Sequence, residues 1–484
     1  MNASELLSGI EYEASSSLPA GEVNAVVTDA RKPVSGALFV CIRGTKFDTH
    51  ACAEEVAEKG ALLLVSEEKL AENVPHVVVA DTRAALSVIW ANFYGNPQNK
   101  FSHVIGITGT NGKTSTSMMA RAVFEAAGHR VGLIGTTKYV VGDREYDAPL
   151  TTPAPEDLFR YFSEMIEAGC DTLIMEVSSH SLSQKRVETI PFSVGIFTNL
   201  TQDHLDYHGT MEAYRKEKEK LFSMCRVGLI NADDAASVHF LASAKCPTYT
   251  YGEGEAAFSA SAICAAVDGV RYRLTFREES YDVSVPIPGN FTVYNSLAAL
   301  SAAQLCGIDL SLAVSAIATM DGVPGRVERL PNTGDVSVIL DYAHTPDALE
   351  NVLKTLGDLP HGRIFVVFGC GGDRDPKKRP IMGEIACAGA DCAIVTSDNP
   401  RTEDPEAIIA DILKGCQDSP NLYAVITDRT EAIRRALTDA RAGDVVLLAG
   451  KGHEEYVIDK TGKHPYSEKK IVKEFFEEKQ EGQL

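Results

Sequence analysis

His103-Val104-Ile105-Gly106-Ile107-Thr108-Gly109-Thr110-Asn111-Gly112-Lys113-Thr114-Ser115 decides the fold. A β-branched run enters a glycine-rich turn, and Met118, Met119, Ala122, Val123 and Ala126 then recur at helical spacing. Strand, turn and helix in that order are the context a phosphate loop needs. Gly109 and Gly112 let backbone N–H groups turn toward phosphate, and the helix N-terminus adds its dipole. Lys113 supplies positive charge and the Thr114 hydroxyl can ligate Mg²⁺. The spacing departs from the ordinary G-x-x-x-x-G-K-T, because the position five before Gly112 is Ile107.

Outward from this loop, β-branched runs at 172–177 and 193–199 with helices between them predict a mostly parallel sheet. Upstream, short runs at 24–28, 37–41, 61–65 and 76–80 alternate with helical stretches at 51–59 and 82–93, and YGNPQNK (94–100) reads as a linker. Downstream of a turn cluster at 322–326, runs at 336–340, 364–368, 392–396, 423–427 and 445–448 predict another doubly wound sheet. The expected architecture is α/β in three domains, 1–97, 98–329 and 330–484, in agreement with a length of 484 residues.

Composition narrows function. Hydrophobic residues make up 44% and charged residues 23%, which excludes disordered, collagen-like and coiled-coil classes. A net charge of −21 repels nucleic acid and anionic lipid, so phosphate must be held locally. The 11 cysteines include no C-x-x-C pair and read as free thiols of a reducing compartment. Without a basic, apolar leader or a bilayer-length apolar run, the expectation is a cytoplasmic protein with no membrane insertion.

Two strand ends carry further chemistry. The run 172–177 ends in Glu176-Val177-Ser178-Ser179-His180, where Glu176 is placed to bind a metal, and the next ends in Thr198-Asn199-Leu200-Thr201-Gln202-Asp203-His204. Taken singly, these residues suit helix caps; on successive strand ends beside a phosphate loop they suit a site. A helix expected over 211–225 carries Met211, Tyr214, Leu221, Phe222 and Cys225 on one face, and Lys218 falls within that face. Desolvation would favour its neutral amine, which can add CO₂ to form a carbamate and ligate Mg²⁺. Periodicity alone also fits a snorkelling or ion-paired lysine.

With these residues the chain resembles the Mur ligases, the ATP-dependent amide-forming enzymes of peptidoglycan synthesis, and among them the members that add the third amino acid of the stem peptide. The resemblance rests on GTNGKT (109–114), TTP (151–153), MEVSSH (175–180), TNLTQDHLDYHG (198–209), VYNSLAA (293–299) and PGRVE (324–328). It continues in DYAHTPD (341–347), GGDRDPKKRP (371–380), DNPR (398–401) and GKGHE (450–454). It implies an N-terminal UDP-binding domain, a central ATPase domain and a C-terminal Rossmann-like domain. The implied reaction phosphorylates a carboxylate of UDP-MurNAc-L-Ala-D-Glu with ATP and lets an amine attack the acyl phosphate.

By position, Gly109, Thr110, Asn111, Gly112, Lys113, Thr114 and Ser115 would wrap the ATP phosphates. Lys113, Glu176, His204 and Lys218 form the implied catalytic set, with Thr114 and Glu176 on one Mg²⁺ and His204 and carbamylated Lys218 on a second. Asn295, Arg326, Asp341 and His344 are implied ATP contacts, with caps and turn residues as the alternative, above all for Asn295. Thr28, Thr151, Thr152, Ser178, Gln184 and Arg186 match positions that hold the UDP-MurNAc-dipeptide. The family's usual D-S-R and D-G-H runs here read Asp29-Ala30-Arg31 and Asp48-Thr49-His50, so one hydroxyl contact to the UDP substrate is lost.

The incoming amino acid would meet Arg379, Asp398, Asn399, Pro400, Arg401, Gly450 and Glu454. Arg401 and Arg379 offer partners for carboxylates, and Asp398 and Glu454 offer acceptors for ammonium. That pattern suits meso-diaminopimelate, which has a zwitterion at each end; L-lysine would leave Arg401 unpaired. The expectation is a monomeric diaminopimelate-adding ligase. The rivals are a lysine-adding ligase, folylpolyglutamate synthase, which would leave the N-terminal domain and DNPR unexplained, and an ATPase module that turns over ATP without an amine.

Overall fold

The computed structural model describes every residue except 16, 33, 45–46, 267–268, 332–334, 418 and 483–484. The chain divides into two compact units, Met1–Ser259 with Leu297–Ala313, and Ala260–Ser296 with Val314–Leu484.

The first unit holds two sheets. Near its N-terminus Val26–Val27, Leu38–Val40, Leu63–Ser66 and His76–Val79 pair in parallel, and Tyr12–Ala14 closes the edge antiparallel to His76–Val79. The helix Thr82–Phe93 has the bounds its periodicity predicts, capped by Asp81, whose side chain accepts from Ala84 N. The stretch expected as a linker contains a short 3₁₀ turn, Pro97–Lys100.

In the larger sheet, parallel strands follow the order Thr248–Gly252, Cys225–Asn231, Phe192–Phe197, His103–Thr108, Thr172–Glu176, Val131–Ile134. His103–Thr108 is buried from Val104 onward, as a β-branched strand between two parallel neighbours must be. Lys138–Val141 and Arg144–Asp147 extend the far edge as antiparallel strands. The register sets Gly106, Gly195 and Gly228 side by side on three adjacent strands. A Cβ at Gly195 would lie 2.9 Å from Cys225 Sγ, one at Gly228 2.9 Å from Phe222, and one at Gly106 3.2 Å from Leu221. This row of bare backbone lets Leu221 and Phe222 settle onto the sheet, both fully buried.

The segment expected as one helix over 211–225 is therefore two pieces and a strand. The α-helix covers Met211–Glu219, a 3₁₀ turn covers Lys220–Ser223, and Cys225 opens the strand Cys225–Asn231. The apolar spacing was right for Tyr214, Leu221 and Phe222, but the close approach to the sheet tightens the last turn and redirects Cys225.

The second unit contains the antiparallel hairpin Gly269–Phe276 with Glu279–Val285 and a six-stranded sheet. In that sheet Ser337–Asp341, Val445–Ala449, Ile364–Phe368, Cys392–Val395 and Leu422–Val425 run parallel, and Glu328–Arg329 flanks the first antiparallel. Helices cover both faces, with Leu349, Leu353, Ala386 and Ile412 in one core and Ile433, Leu437, Val472 and Phe475 in the other. The chain is α/β with parallel-rich sheets, as expected. All eleven cysteines are free thiols.

In the first unit Phe162 is fully buried between Phe101 and Phe159, with ring centroids 5.8 and 5.7 Å away. Phe162→Ala is expected to cost about 3–5 kcal/mol, read as a lower urea midpoint.

Candidate functional site

Gly109 leaves the central strand at φ +146, where a Cβ would lie 1.9 Å from Thr198 Oγ1. Only glycine fits, and the loop is stitched to the next strand end. Thr110 N donates to Asn199 O at 2.9 Å, Asn111 N donates to Asn199 Oδ1 at 2.8 Å, and Thr198 Oγ1 donates to Asn111 O at 2.7 Å. Gly112, at φ +82, caps the helix Lys113–Ala126 without a side chain that could compete for the first-turn N–H groups, the anion-binding end of a helix. Thr114 and Ser115 are buried in that turn.

Two lysines converge on one carbonyl. Lys113 Nζ donates to Gly109 O at 2.9 Å and to Thr110 O at 2.8 Å, and Lys218 Nζ donates to Gly109 O at 2.7 Å. Lys218 is 1% exposed and lies 4.5 Å from the Tyr214 ring centroid. Burial, and then the charge on Lys113, hold its pKa well below the usual lysine value, which favours the neutral amine. The inward position read from the sequence is the observed one, and the snorkelling alternative is overturned.

Glu176 ends its strand level with Ile107 and is 1% exposed. Its carboxylate accepts from Thr136 N at 2.9 Å and Thr136 Oγ1 at 2.8 Å, and Gly135 must be glycine because a Cβ there would lie 2.6 Å from Glu176 Oε1. Thr151 meets Thr136 at 3.1 Å between hydroxyls, while Thr152 Oγ1 donates to Glu176 O at 2.8 Å and receives Ser178 N at 3.2 Å. The sequence singled out neither Gly135 nor Thr136, since neither lies in a strand-end motif.

His204 has φ +52, a left-handed conformation unusual for a residue with a side chain, and its N–H donates to Asp203 Oδ1 at 2.8 Å. Its ring belongs to a cluster with His180, 4.9 Å away, and Tyr214, 6.2 Å away. Burial lowers the pKa of His204, and burial together with His204 lowers that of His180 to about 4, so both imidazoles are neutral at pH 7. Among the described residues no group of three His, Cys, Asp or Glu side chains converges to hold a metal ion.

A cavity of about 900 Å³ in the same unit is lined by Thr28, Gln184 and Arg186. Arg186 is anchored by Nη1 donating to Thr152 O at 2.6 Å and Nη2 donating to Gln184 Oε1 at 2.7 Å. Ala30 and Thr49, the departures from the family pattern, also line it, with Arg83 and the exposed Phe47.

In the second unit a cavity of about 230 Å³ gathers His344, Asp398, Asn399, Arg401, Gly450 and Glu454, all singled out from sequence. Arg401 is left-handed at φ +52, with Nη1 donating to Gly372 O at 2.7 Å. Gly450 admits Asp398 closely, since a Cβ would stand 2.6 Å from Asp398 Oδ2. Burial raises the pKa of Glu454. The buried Asp341 carboxylate accepts from Val327 N and Ala343 N, each at 2.8 Å, and Arg326 stacks 5.0 Å from the Tyr342 ring centroid with its Nε buried and unpartnered. Asn295 is buried in the helix Phe291–Leu305. Pro400 does not line the cavity; its carbonyl abuts Gly372, where a Cβ would lie 2.0 Å away.

Arg379 requires a correction. It is 3% exposed, with Nη2 donating to Glu403 Oε1 at 2.8 Å and Nη1 donating to Asp411 Oδ2 at 3.0 Å. Both Nη groups are taken up by carboxylates inside the protein, and Glu403 in turn receives Asp373 N. Arg374 and Lys378 line the cavity instead, with Lys378 Nζ donating to His344 O at 2.7 Å. The sequence offered four cations within GGDRDPKKRP and no means of telling which one Glu403 and Asp411 would claim.

Residues 107–303 match the Mur ligase middle domain, and residues 325–452 match the Mur ligase, glutamate ligase domain. The chain is 45% identical over 459 residues to a UDP-N-acetylmuramoyl-L-alanyl-D-glutamate--2,6-diaminopimelate ligase of Clostridioides difficile (strain 630), covering 94% of this chain and 95% of that protein. A protein of the same name from Caldanaerobacter subterraneus subsp. tengcongensis is 43% identical over 482 residues, covering 99% of each chain. A solved structure of a ligase with that name superimposes with a TM-score of 0.72 at 32% identity, covering 99% of both chains.

Because burial lowers the pKa of Lys218 below its unfolded value, its burial opposes stability at neutral pH, where the unfolded side chain is protonated. That penalty shrinks as pH rises toward the unfolded lysine pKa of about 10.4. Lys218→Met is therefore expected to raise the urea midpoint at pH 7 in bicarbonate-free buffer, with the gain diminishing at pH 9.5.

Proposed function

The chain belongs to the Mur ligase family, and from that premise we infer that it is the ATP-dependent ligase that joins meso-diaminopimelate to UDP-MurNAc-L-Ala-D-Glu in peptidoglycan synthesis. ATP phosphorylates the terminal carboxylate of the dipeptide, the amine of diaminopimelate attacks the acyl phosphate, and phosphate leaves. The observation that carries the reading is the second-unit cavity, where Arg401, Arg374 and Lys378 face the same space as Asp398 and Glu454. Cations and carboxylates in one small cavity suit a ligand that brings both charges, and the guanidinium groups have no counterpart on the side chain of lysine.

The loop 109–115 is assigned to the ATP phosphates, and Thr28, Thr151, Thr152, Ser178, Gln184 and Arg186 to the UDP-dipeptide. The 900 Å³ cavity supports the roles of Thr28, Gln184 and Arg186, and its capacity suits a nucleotide sugar. Asn295, Arg326, Asp341 and His344 are proposed as ATP contacts; the unpartnered Nε of Arg326 is a donor suited to phosphate oxygen. The strands at 12–79 and those at 328–449 belong to sheets separate from the one that holds His103–Thr108, which supports domain boundaries near 97 and 329.

The donor set fits Mg²⁺. Thr114 and Glu176 offer oxygen ligands, burial favours the neutral imidazole of His204, and it favours the neutral Lys218 amine, the form that takes up CO₂. We assign carbamylated Lys218 and His204 to one ion, and Thr114 and Glu176 to the other. Bound Mg²⁺ would neutralise the charge between ATP and the incoming carboxylate. The protein's own contribution is to desolvate Lys218 against Gly109 O and to hold Glu176 rigid through Thr136.

The direct test is to incubate the protein with ATP, Mg²⁺ and UDP-MurNAc-L-Ala-D-Glu, offering diaminopimelate or L-lysine in parallel, and to follow phosphate release and product mass. The expected product forms with diaminopimelate. Product with lysine alone refutes the specificity, and phosphate release indifferent to amine refutes the ligase reading. Lys218→Ala should lose most activity and regain part of it with added short carboxylates; a fully active variant excludes the carbamate. Arg374→Ala is expected to raise the KM for diaminopimelate, whereas Arg379→Met should lower the unfolding midpoint by taking the buried guanidinium away from two half-buried carboxylates.

A further inference from the structure

Lys451 is 1% exposed, yet neither the phosphate loop nor the lining of the amino-acid cavity includes it. Two left-handed glycines bury it. Gly450 has φ +114, and Gly452 has φ +53 with a Cβ position 2.6 Å from Tyr342 Cβ, so a side chain at the first would strain the backbone and one at the second would collide with Tyr342. Lys451 Nζ donates to Asn399 Oδ1 at 3.0 Å and to Tyr456 O at 2.9 Å.

The Asn399 amide is thereby fixed. Its Oδ1 also accepts from Ile458 N at 3.0 Å, and with two donors facing the oxygen, the Nδ2 group must face the other way, where it donates to Glu454 Oε2 at 2.8 Å. The charges around this chain are closely matched. Lys451 lies 3.6 Å from Asp398 Oδ1 and 3.9 Å from Glu454 Oε2. Arg429 pairs with Glu468 at 2.8 Å and approaches Asp398 at 3.8 Å. Two buried cations thus stand against three carboxylates, of which Asp398 and Glu454 face the cavity.

We propose that Lys451 is the positioning residue of the amino-acid subsite: through the Asn399 amide it sets the Glu454 carboxylate to receive an ammonium group of the incoming amino acid. The inference rests on reading the cavity as the diaminopimelate subsite, and it adds a residue that touches no substrate. Without Lys451, Ile458 alone orients Asn399, and the carboxylates gain unshielded negative charge that no longer selects one ammonium position.

The experiment is steady-state kinetics on the full chain, varying diaminopimelate, ATP and UDP-MurNAc-L-Ala-D-Glu in turn, with thermal unfolding as the check on folding. Lys451→Met is expected to raise the KM for diaminopimelate at least about tenfold and to leave the KM for ATP unchanged. In a Glu454→Gln background the same substitution should have little further effect, because both changes act on one interaction. Asn399→Asp keeps the acceptor facing Lys451 and replaces the donor facing Glu454 with a second acceptor, so it should raise the same KM even if Lys451→Met fails to fold. An unchanged diaminopimelate KM in Asn399→Asp, equal rises in the KM for ATP and for diaminopimelate, or additive effects of Lys451→Met and Glu454→Gln would each overturn the proposal. Wild-type protein that makes no product with diaminopimelate would instead overturn the underlying substrate reading.

Discussion

A row of three residues without side chains governs the first unit. Gly106, Gly195 and Gly228 lie abreast on adjacent parallel strands and clear the depth at which Leu221 and Phe222 pack. Because those two residues follow Lys218 within a turn, their depth sets the height of the preceding helix over the sheet, and so the reach of the lysine to Gly109 O. A Cβ along the row would stand 3.2 Å from Leu221 at Gly106, 3.3 Å from Leu221 at Gly195 and 2.9 Å from Phe222 at Gly228. A shift of that helix would draw the buried amine away from Gly109 O, so packing below the sheet surface and chemistry above it are one constraint.

Each unit handles buried charge differently. Around the phosphate loop burial works against charge: it lowers the pKa of Lys218, His180 and His204, and the loop carbonyl of Gly109 receives the donors of two lysines. Around the amino-acid cavity the solution is compensation: Arg379, Arg429 and Lys451 stay matched to carboxylates within about 4 Å, at or near hydrogen-bonding distance. The first arrangement leaves lone pairs that suit cation binding. The second leaves a fixed field that suits a zwitterion.

Much of this was legible in the sequence, and the boundary of legibility is physical. The strand 103–108, the loop and the helix Thr82–Phe93 follow from local spacing alone, because propensity, glycine placement and capping agree there. The inward aspect of Lys218 followed from its apolar neighbours Tyr214 and Leu221. The end of that helix did not, because the row of glycines that bends it lies on strands elsewhere in the chain. Arg379 was misread for a similar reason: its partners Glu403 and Asp411 come from another segment, and nothing in GGDRDPKKRP distinguishes an arginine that faces a cavity from one that faces a helix. Thr136 escaped notice because its importance lies in orienting Glu176 rather than in any motif of its own.

His204 and Arg401 share the same left-handed backbone, φ +52, and neither is glycine. A side chain in that conformation costs on the order of 1 kcal/mol, and glycine would relieve it. Any selection for thermal robustness alone would therefore favour glycine at both positions, and each replacement would erase an imidazole or a guanidinium from a candidate site. The two residues mark where evolvability is pinned: laboratory stabilisation of this scaffold has to be sought at other positions, and glycine at either one in a natural homologue would signal that selection on the site had been released.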